Sequence, residues 1–111
     1  MSKRAYVPEA GDIAWLEFDP QAGHEQAGRR PALVLSPASY NARSGLMVCC
    51  PITTRIKGYP FEVRLAGEPA SVVLADQVKS LEWRARQATR KARAEAVELA
   101  EVRAKLRALI G

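Results

Sequence analysis

This sequence predicts a small, mainly β fold, either a barrel or a sandwich, that ends in one helix. Short apolar stretches recur up to Trp83, and proline, glycine and polar turns separate them, which is typical of small barrels and sandwiches. Over residues 93–110 the apolar side chains instead recur in steps of three and four, as on one face of a helix. With 111 residues the chain is expected to form a single domain, 1–111, with a modest core.

Six strands are expected before the helix. They are placed at residues 12–18, 32–35, 46–50, 61–65, 72–75 and 78–83. The first alternates apolar and acidic residues, like a half-buried strand, and the second is a continuous apolar run between Pro31 and Pro37. Residues 39–45 are expected to form a polar turn and residues 52–60 a polar loop. The C-terminal helix is expected to cover the barrel or a dimer seam.

The charge balance favours a polyanionic partner. The formal net charge is +5, which suits RNA, DNA or an acidic protein tail, although it also serves solubility alone. No apolar run approaches the roughly 20 residues that a membrane helix needs, and no apolar segment follows the basic start as in a signal peptide. We therefore expect a cytoplasmic protein that does not enter a membrane.

Metal and cofactor sites are not expected. Cys49 and Cys50 are adjacent, so in a strand they point to opposite faces, and a disulfide between them would be strained. With a single histidine and scattered carboxylates, the chain lacks a metal-ligand spacing. It also lacks a glycine-rich motif of the nucleotide-binding type. The two cysteines are expected to be reduced, buried apolar fillers.

The segment 23–31, GHEQAGRRP, is the most informative stretch of the chain. Two glycines, one carboxylate, the only histidine and two adjacent arginines precede the apolar run 32–35. A polar loop that delivers arginine at the mouth of a buried strand suits phosphate binding, because the guanidinium is a permanently charged fork of donors. From the residues alone, Arg29 and Arg30 are equal candidates.

Five motifs in one order make the chain resemble a known family. The chain resembles the MazF/PemK family of toxin ribonucleases, in register from about Tyr6 to Gly111. The motifs that carry the resemblance are GDIAWLEFDP, EQAGRRPALVLSP, CPITTRIKGYPFEV, LADQVKSLEWRAR and the ending KLRALIG. The resemblance implies an SH3-like β-barrel with a C-terminal helix. It also implies a metal-independent, sequence-specific endoribonuclease, the toxin of a type II toxin–antitoxin pair. Such a toxin leaves 2′,3′-cyclic phosphate and 5′-hydroxyl ends, inhibits translation and growth, and needs no cofactor.

The resemblance also implies partners. The expected ones are single-stranded mRNA, a second copy of the chain in a homodimer, and a MazE-like antitoxin whose acidic C-terminal segment covers the RNA groove. Related toxins cut at short motifs such as ACA. His24 and a shorter turn at residues 67–71 depart from the family pattern, so the recognised sequence is left open.

Three residues are expected to carry the catalysis. By resemblance, Arg30 matches the family's catalytic arginine and Thr53 its catalytic threonine. Glu25 either accepts the proton of the ribose 2′-hydroxyl or orients the arginine, and whether Glu25 or Arg30 is the general base is left open. A scheme with two histidines is excluded, since His24 has no second histidine beside it.

Further residues are expected to contact RNA through charges, amides and hydroxyls. They are Asp19, His24, Gln26, Arg29, Thr54, Arg55, Lys57, Gln77, Lys79, Arg84 and Arg86. Residues 79–93 hold six basic side chains against one acid, and this run would track phosphates, dock the acidic antitoxin tail or simply be solvated. Two other functions remain open: a non-catalytic nucleic-acid- or protein-binding barrel, and a gyrase poison of the CcdB kind, although the terminus here is Leu-Ile-Gly rather than Trp-Gly-Ile.

Overall fold

The computed structural model describes residues 5–17 and 28–111. Within them lie seven strands and two α-helices. In chain order these are β1 (Asp12–Glu17), β2 (Arg29–Val34), α1 (Ala38–Ser44), β3 (Leu46–Thr53), β4 (Glu62–Leu65), β5 (Ser71–Leu74), β6 (Lys79–Glu82), β7 (Thr89–Arg93) and α2 (Ala96–Ile110). A short 3₁₀ turn at Ala75–Gln77 joins β5 to β6.

The strands form one antiparallel sheet in the order β4-β5-β3-β2-β1-β7, and β6 also pairs with β3. The long strand β3 pairs with β6 over residues 46–49 and with β5 over residues 52–53. Because one strand serves two neighbours along the same edge, the sheet curls into a half-barrel. The predicted mainly β class with a C-terminal helix is confirmed.

The curled sheet carries a hydrophobic cluster on each face. In β2, Leu33 belongs to one cluster, together with Val102 of α2, whereas Ala32 and Val34 belong to the other, which Trp83 completes. This is the alternation that a strand buried on both faces requires. Neither face is left open along the middle of β2.

The two cysteines follow the same alternation. Cys50 packs in the cluster under α2 and Cys49 in the cluster of Trp83, and both are buried free thiols. The predicted divergence of these side chains is confirmed. Desolvation by burial raises the pKa of each thiol to about 12.

Two elements differ from the sequence expectation. Residues 38–44 form helix α1 rather than a polar turn, and residues 89–93 form a seventh strand after the expected last one. Neither has an apolar face: α1 buries only Asn41, and all five residues of β7 are exposed. The apolar period on which the prediction relied is absent from both.

Hydrogen bonds and tertiary contacts hold these two elements instead. The Asn41 side chain donates to the Pro8 and Ser36 carbonyls at 2.8 and 3.0 Å. It also accepts from the Ser36 hydroxyl at 2.6 Å. Strand β7 pairs with β1, and the Arg93 guanidinium donates to the buried Asp12 carboxylate at 2.7 Å.

Helix α2 begins at Ala96, not at Arg93 as expected, because Arg93 belongs to β7. A capping box marks its start, in which the buried Glu98 accepts the Glu95 N–H at 2.8 Å. The other Glu98 oxygen accepts the Ala66 N–H at 2.6 Å. One carboxylate thus fixes the start of α2 to the turn between β4 and β5. None of the described helices is long and apolar enough to span a membrane.

Candidate functional site

Arg30 and Thr53 lie at the same end of the β2–β3 ladder. Ala32 pairs with Pro51 in this antiparallel pair, and Arg30 and Thr53 each lie two residues beyond that pair in the same direction. Both residues line one cavity of about 510 Å³, together with Thr54. The two strands run further than expected, to Arg29 and to Thr53, and this places both residues on regular backbone.

The walls of this cavity, the larger of two described here, combine apolar and charged side chains. The apolar side is Ile13, Trp15, Pro31, Ile52 and Leu65. The charged lining residues are Arg30, Lys91, Arg93, Glu68, Glu95 and Glu98. The Lys91 ammonium lies 5.3 Å from the centre of the Trp15 ring, a cation–π contact. The cavity therefore presents apolar surface together with side chains of both charges, among them the cations Arg30, Lys91 and Arg93.

The structure separates the two adjacent arginines. Arg29 Nη2 donates to the Thr89 hydroxyl at 2.7 Å and to the Gln87 carbonyl at 2.9 Å, so this guanidinium is bound to β7 and the turn before it. Both arginines are exposed, but only Arg30 lines the cavity. Of the two candidates, Arg30 is the one beside Thr53.

The Thr53 hydroxyl has a defined hydrogen-bonding direction. It accepts the Arg55 N–H at 3.0 Å, in a local turn at the end of β3. A hydroxyl has one hydrogen to donate as well as lone pairs, so this bond leaves its hydrogen available for an oxygen in the cavity. The structure places Thr53 at the end of β3, in the wall of the cavity, and its catalytic role stays a prediction.

A second cavity of about 200 Å³ also includes Thr53. It is lined by Thr53, Arg55, Lys57, Tyr59, Phe61, Glu62, Leu74, Asp76 and Gln77. Thr53 is the residue that the two cavities share. The Glu62 carboxylate accepts the N–H groups of Lys57 and Gly58 at 3.0 and 2.9 Å, which fixes the exposed segment after β3 against β4.

Three residues predicted to bind RNA meet in this second cavity: Arg55, Lys57 and Gln77. Asp76 and Tyr59 lie there too, and neither is among the residues predicted to bind RNA. The signal for Tyr59 was its place in a polar loop, which favours exposure of its ring. The signal for Asp76 was a carboxylate adjoining Gln77.

The basic run 79–93 does not form a single stripe. Arg84 stacks 4.2 Å from the Trp83 ring centre, and Arg86 donates to the Glu17 carbonyl at 3.0 Å. Lys79 lies on β6 opposite Cys49. Arg90 and Arg93 approach Asp12 at 3.9 and 2.7 Å. Several of these cations thus stabilise the protein itself, which the charge count does not reveal.

Four predicted site residues lie outside the described residues: Asp19, His24, Glu25 and Gln26. Their assignments stay predictions. Among residues 5–17 and 28–111, no group of three or more histidine, cysteine, aspartate or glutamate side chains is arranged to hold a metal ion.

The chain is similar to known toxins in both sequence and fold. Residues 9–110 match the family described as PemK-like, MazF-like toxins of type II toxin–antitoxin systems. The chain belongs to this family. It is 56% identical over 107 residues to the endoribonuclease toxin MazF of Escherichia coli K12, covering 96% of both chains. It is 36% identical over 84 residues to the endoribonuclease PemK of E. coli, covering 70% of this chain and 63% of PemK.

Solved structures of the family agree with the fold. MazF from Deinococcus radiodurans superimposes with a TM-score of 0.86 at 60% identity, covering 96% of this chain and 99% of that one. MazF in a MazE–MazF complex from the same organism also gives 0.86, at 54% identity, over 96% and 98% of the two chains. The predicted membership of the MazF/PemK family and the endoribonuclease class are confirmed.

Proposed function

We propose that this member of the MazF/PemK family cuts single-stranded RNA at specific sequences without a metal ion, and that Arg30 and Thr53 bind the scissile phosphodiester. The observation that carries the proposal is that the two side chains line one open cavity at one end of the β2–β3 ladder. A permanent cation and a hydroxyl hydrogen are both complementary to an anionic oxygen ligand.

The reaction needs few protein groups because RNA supplies its own nucleophile. The ribose 2′-oxygen attacks the adjacent phosphorus, the bond from phosphorus to the 5′-oxygen breaks, and the products are a 2′,3′-cyclic phosphate and a 5′-hydroxyl. Negative charge builds up on the non-bridging oxygens during this step. The Arg30 guanidinium and the Thr53 hydroxyl stabilise that charge, which is usually the largest contribution to catalysis.

Two proton transfers complete the balance. One proton leaves the 2′-hydroxyl and one reaches the departing 5′-oxygen. Glu25 accepts the first proton or orients Arg30. Single-stranded RNA is the substrate, because in-line attack and base recognition both need nucleotides that are free of the A-form stack.

The biological setting follows the family. We propose a one-domain cytoplasmic toxin that acts as a homodimer, stops translation by cutting mRNA and is neutralised by a MazE-like antitoxin with an acidic C-terminal segment. The similar MazF of D. radiodurans forms a complex with MazE, which supports an antitoxin partner of that type. A formal charge of +5 suits both the RNA and the acidic segment.

The deciding experiment incubates purified dimeric protein with single-stranded RNA in EDTA. Cleavage is expected, and the 5′ ends should accept phosphate from a polynucleotide kinase without prior dephosphorylation. A substrate with a 2′-deoxy sugar at the cut position is expected to stay intact. RNA that remains whole with a folded, dimeric preparation would favour the non-catalytic binding barrel instead. Sequencing the 5′ ends gives the recognised motif.

A further inference from the structure

The segment 54–60 joins β3 to β4 directly after Thr53, one of the two residues proposed to bind the diester. All seven of its residues are exposed, and none of them belongs to a helix or a strand. Even the aliphatic Ile56 is 37% exposed, so burial of apolar side chains does little to anchor the segment. Its shape therefore depends on hydrogen bonds to the two strands that it joins.

Backbone N–H groups of this segment donate to side chains at both of its ends. The Arg55 N–H donates to the Thr53 hydroxyl at 3.0 Å, at the end of β3. The N–H groups of Lys57 and Gly58 donate to the two carboxylate oxygens of Glu62, at 3.0 and 2.9 Å, at the start of β4. Thr53 and Glu62 therefore hold the same short segment from opposite ends.

The N–H groups of Lys57 and Gly58 form a backbone nest, a concave site for an anion. Gly58 has a φ of +83°, in the left-handed region, which turns two successive N–H groups towards one point. A Cβ on this glycine would meet no atom within 4 Å, so the positive φ, and not a lack of space, favours glycine here. Glu62 supplies the anion from within the chain.

The nest is linked to the Thr53 hydroxyl through very little backbone. Only Ile56 separates Lys57 from Arg55, whose N–H is bonded to the Thr53 oxygen. Since that bond occupies an acceptor position of the hydroxyl, it restricts the direction in which the hydroxyl hydrogen can donate. Loss of the carboxylate would release the nest and, with it, the Arg55 N–H.

We propose that Glu62 is a positioning residue for the cleavage reaction: its carboxylate fills the nest, holds the segment 54–60 and thereby fixes the direction in which the Thr53 hydroxyl donates. The inference rests on the proposed function, in which that hydroxyl hydrogen stabilises charge on the scissile diester. Glu62 acts through Arg55 and Thr53 and contacts neither the diester nor a transferred proton. Such positioning matters because a misplacement of about 1 Å can lower a rate by about 100-fold.

The first test removes the carboxylate and then returns it from solution. Glu62→Ala deletes a CH₂–COO⁻ group, so kcat on a defined single-stranded RNA should fall by about 10- to 100-fold. Acetate has the size and charge of the deleted group. When it replaces chloride at constant ionic strength, it should recover kcat of this variant in a saturable way.

The matched control is Glu82→Ala, which removes an exposed carboxylate from β6. Its kcat and its response to acetate should equal those of the unaltered protein. A folded Glu62→Ala variant that keeps the normal kcat, or one that acetate does not recover, would overturn the positioning role.

A second variant disturbs the nest and leaves the carboxylate in place. Gly58→Ala puts a Cβ into open space at a positive φ, so it strains the backbone alone. Its kcat should also fall, but acetate should not recover it, because Glu62 is still present. Equal recovery of the two variants would show that acetate acts elsewhere, and it would count against the nest.

A double-mutant cycle tests the route through Thr53. In a Thr53→Val background the hydroxyl is gone, so Glu62→Ala should lower kcat further by less than about threefold. An additional loss as large as that in the unaltered protein would mean that Glu62 acts by another route, and the proposal would then be wrong.

Amide hydrogen exchange separates this inference from the proposed function, because it needs no RNA. In Glu62→Ala, the amides of Arg55, Lys57 and Gly58 should exchange about tenfold faster than in the unaltered protein, and acetate should slow all three. This result supports the link from Glu62 to Thr53 even if the protein cuts no RNA. Unchanged exchange at Arg55 overturns that link even if cleavage occurs.

Discussion

Arg30 and its neighbour Arg29 offer the same chemistry in two different places. Arg30→Ala should lower kcat by about 100- to 1,000-fold, the usual effect of deleting one group that stabilises transition-state charge. Arg29→Ala removes bonds to Thr89 and Gln87, so it should lower the melting temperature more than the rate constant. Steady-state cleavage of a defined RNA, with thermal unfolding of both variants, separates the two effects.

Arg64→Ala is the control for loss of charge, since Arg64 is exposed on β4 and lines neither cavity. If Arg30→Ala cuts at nearly the normal rate while Arg29→Ala is inactive and folded, the roles of the two arginines are reversed.

Thr53 is expected to act through its hydroxyl hydrogen. Thr53→Val keeps the volume and branching but removes the donor, so kcat should fall by about 100- to 1,000-fold with the fold intact. Thr53→Ser keeps the donor and should retain most of the rate, whereas Thr53→Ala should be as slow as the valine variant. Equal rates for the valine and serine variants would mean that the residue acts only by packing.

At the scale of elements, Glu98 links α2 to the sheet. Glu98→Ala leaves the N–H groups of Glu95 and Ala66 without their acceptor, so the free energy of unfolding should fall by about 1–3 kcal/mol in urea titration. Glu101→Ala, an exposed change on the same helix, should have a much smaller effect. Identical midpoints for the two variants would contradict the role of Glu98 as a link.

The elements that the sequence predicted best are those with an apolar period. The strands around Leu33 and Cys50 were found because they are continuous apolar runs, and the body of α2 was found because its apolar residues recur every three or four positions. Helix α1 and strand β7 were missed, because hydrogen bonds to Asn41 and pairing with β1 hold them and neither contributes an apolar face.

The site was partly predictable for a related reason. Arg30 and Thr53 are a cation and a hydroxyl at strand ends, which the sequence already indicates, and the role proposed for them comes from the family resemblance. Their meeting in one cavity depends on the β2–β3 register, a long-range property that no local pattern contains. The sequence likewise could not predict that Arg84 contacts Trp83 and that Arg93 contacts Asp12, because tertiary packing determines these partners.

At the scale of the whole molecule, the charge should control RNA affinity through salt. The logarithm of the association constant for a non-cleavable RNA should fall linearly with the logarithm of the salt concentration. The slope should be about −0.7 for each phosphate neutralised. Lys57→Gln should reduce the size of that slope by about 0.7, since Lys57 lines the smaller cavity. Arg43→Gln on α1 removes the same charge and should leave the slope unchanged; equal slopes for all three proteins would contradict a role for Lys57.

The buried thiols predict how the whole molecule responds to alkali. Burial raises the pKa of Cys49 and Cys50 from 9.0 to about 12, so the folded state holds their protons more tightly than the unfolded state. Their contribution to stability is complete below pH 9 and is lost as the pH rises from 9 towards 12. Urea midpoints between pH 8 and 11 should fall less steeply in a Cys49→Ala, Cys50→Ala double variant; parallel falls would contradict the assignment.

The placement of these two cysteines on opposite faces of β3 has a practical consequence. An alkylating reagent added under native conditions can reach both sulfurs only after the layers on either side of the sheet have come apart. Simultaneous modification would record complete opening of the protein, whereas modification of one sulfur alone would report which layer had detached first. The two native thiols thus report the opening of the two layers separately, and mass spectrometry can detect their modification without an introduced label.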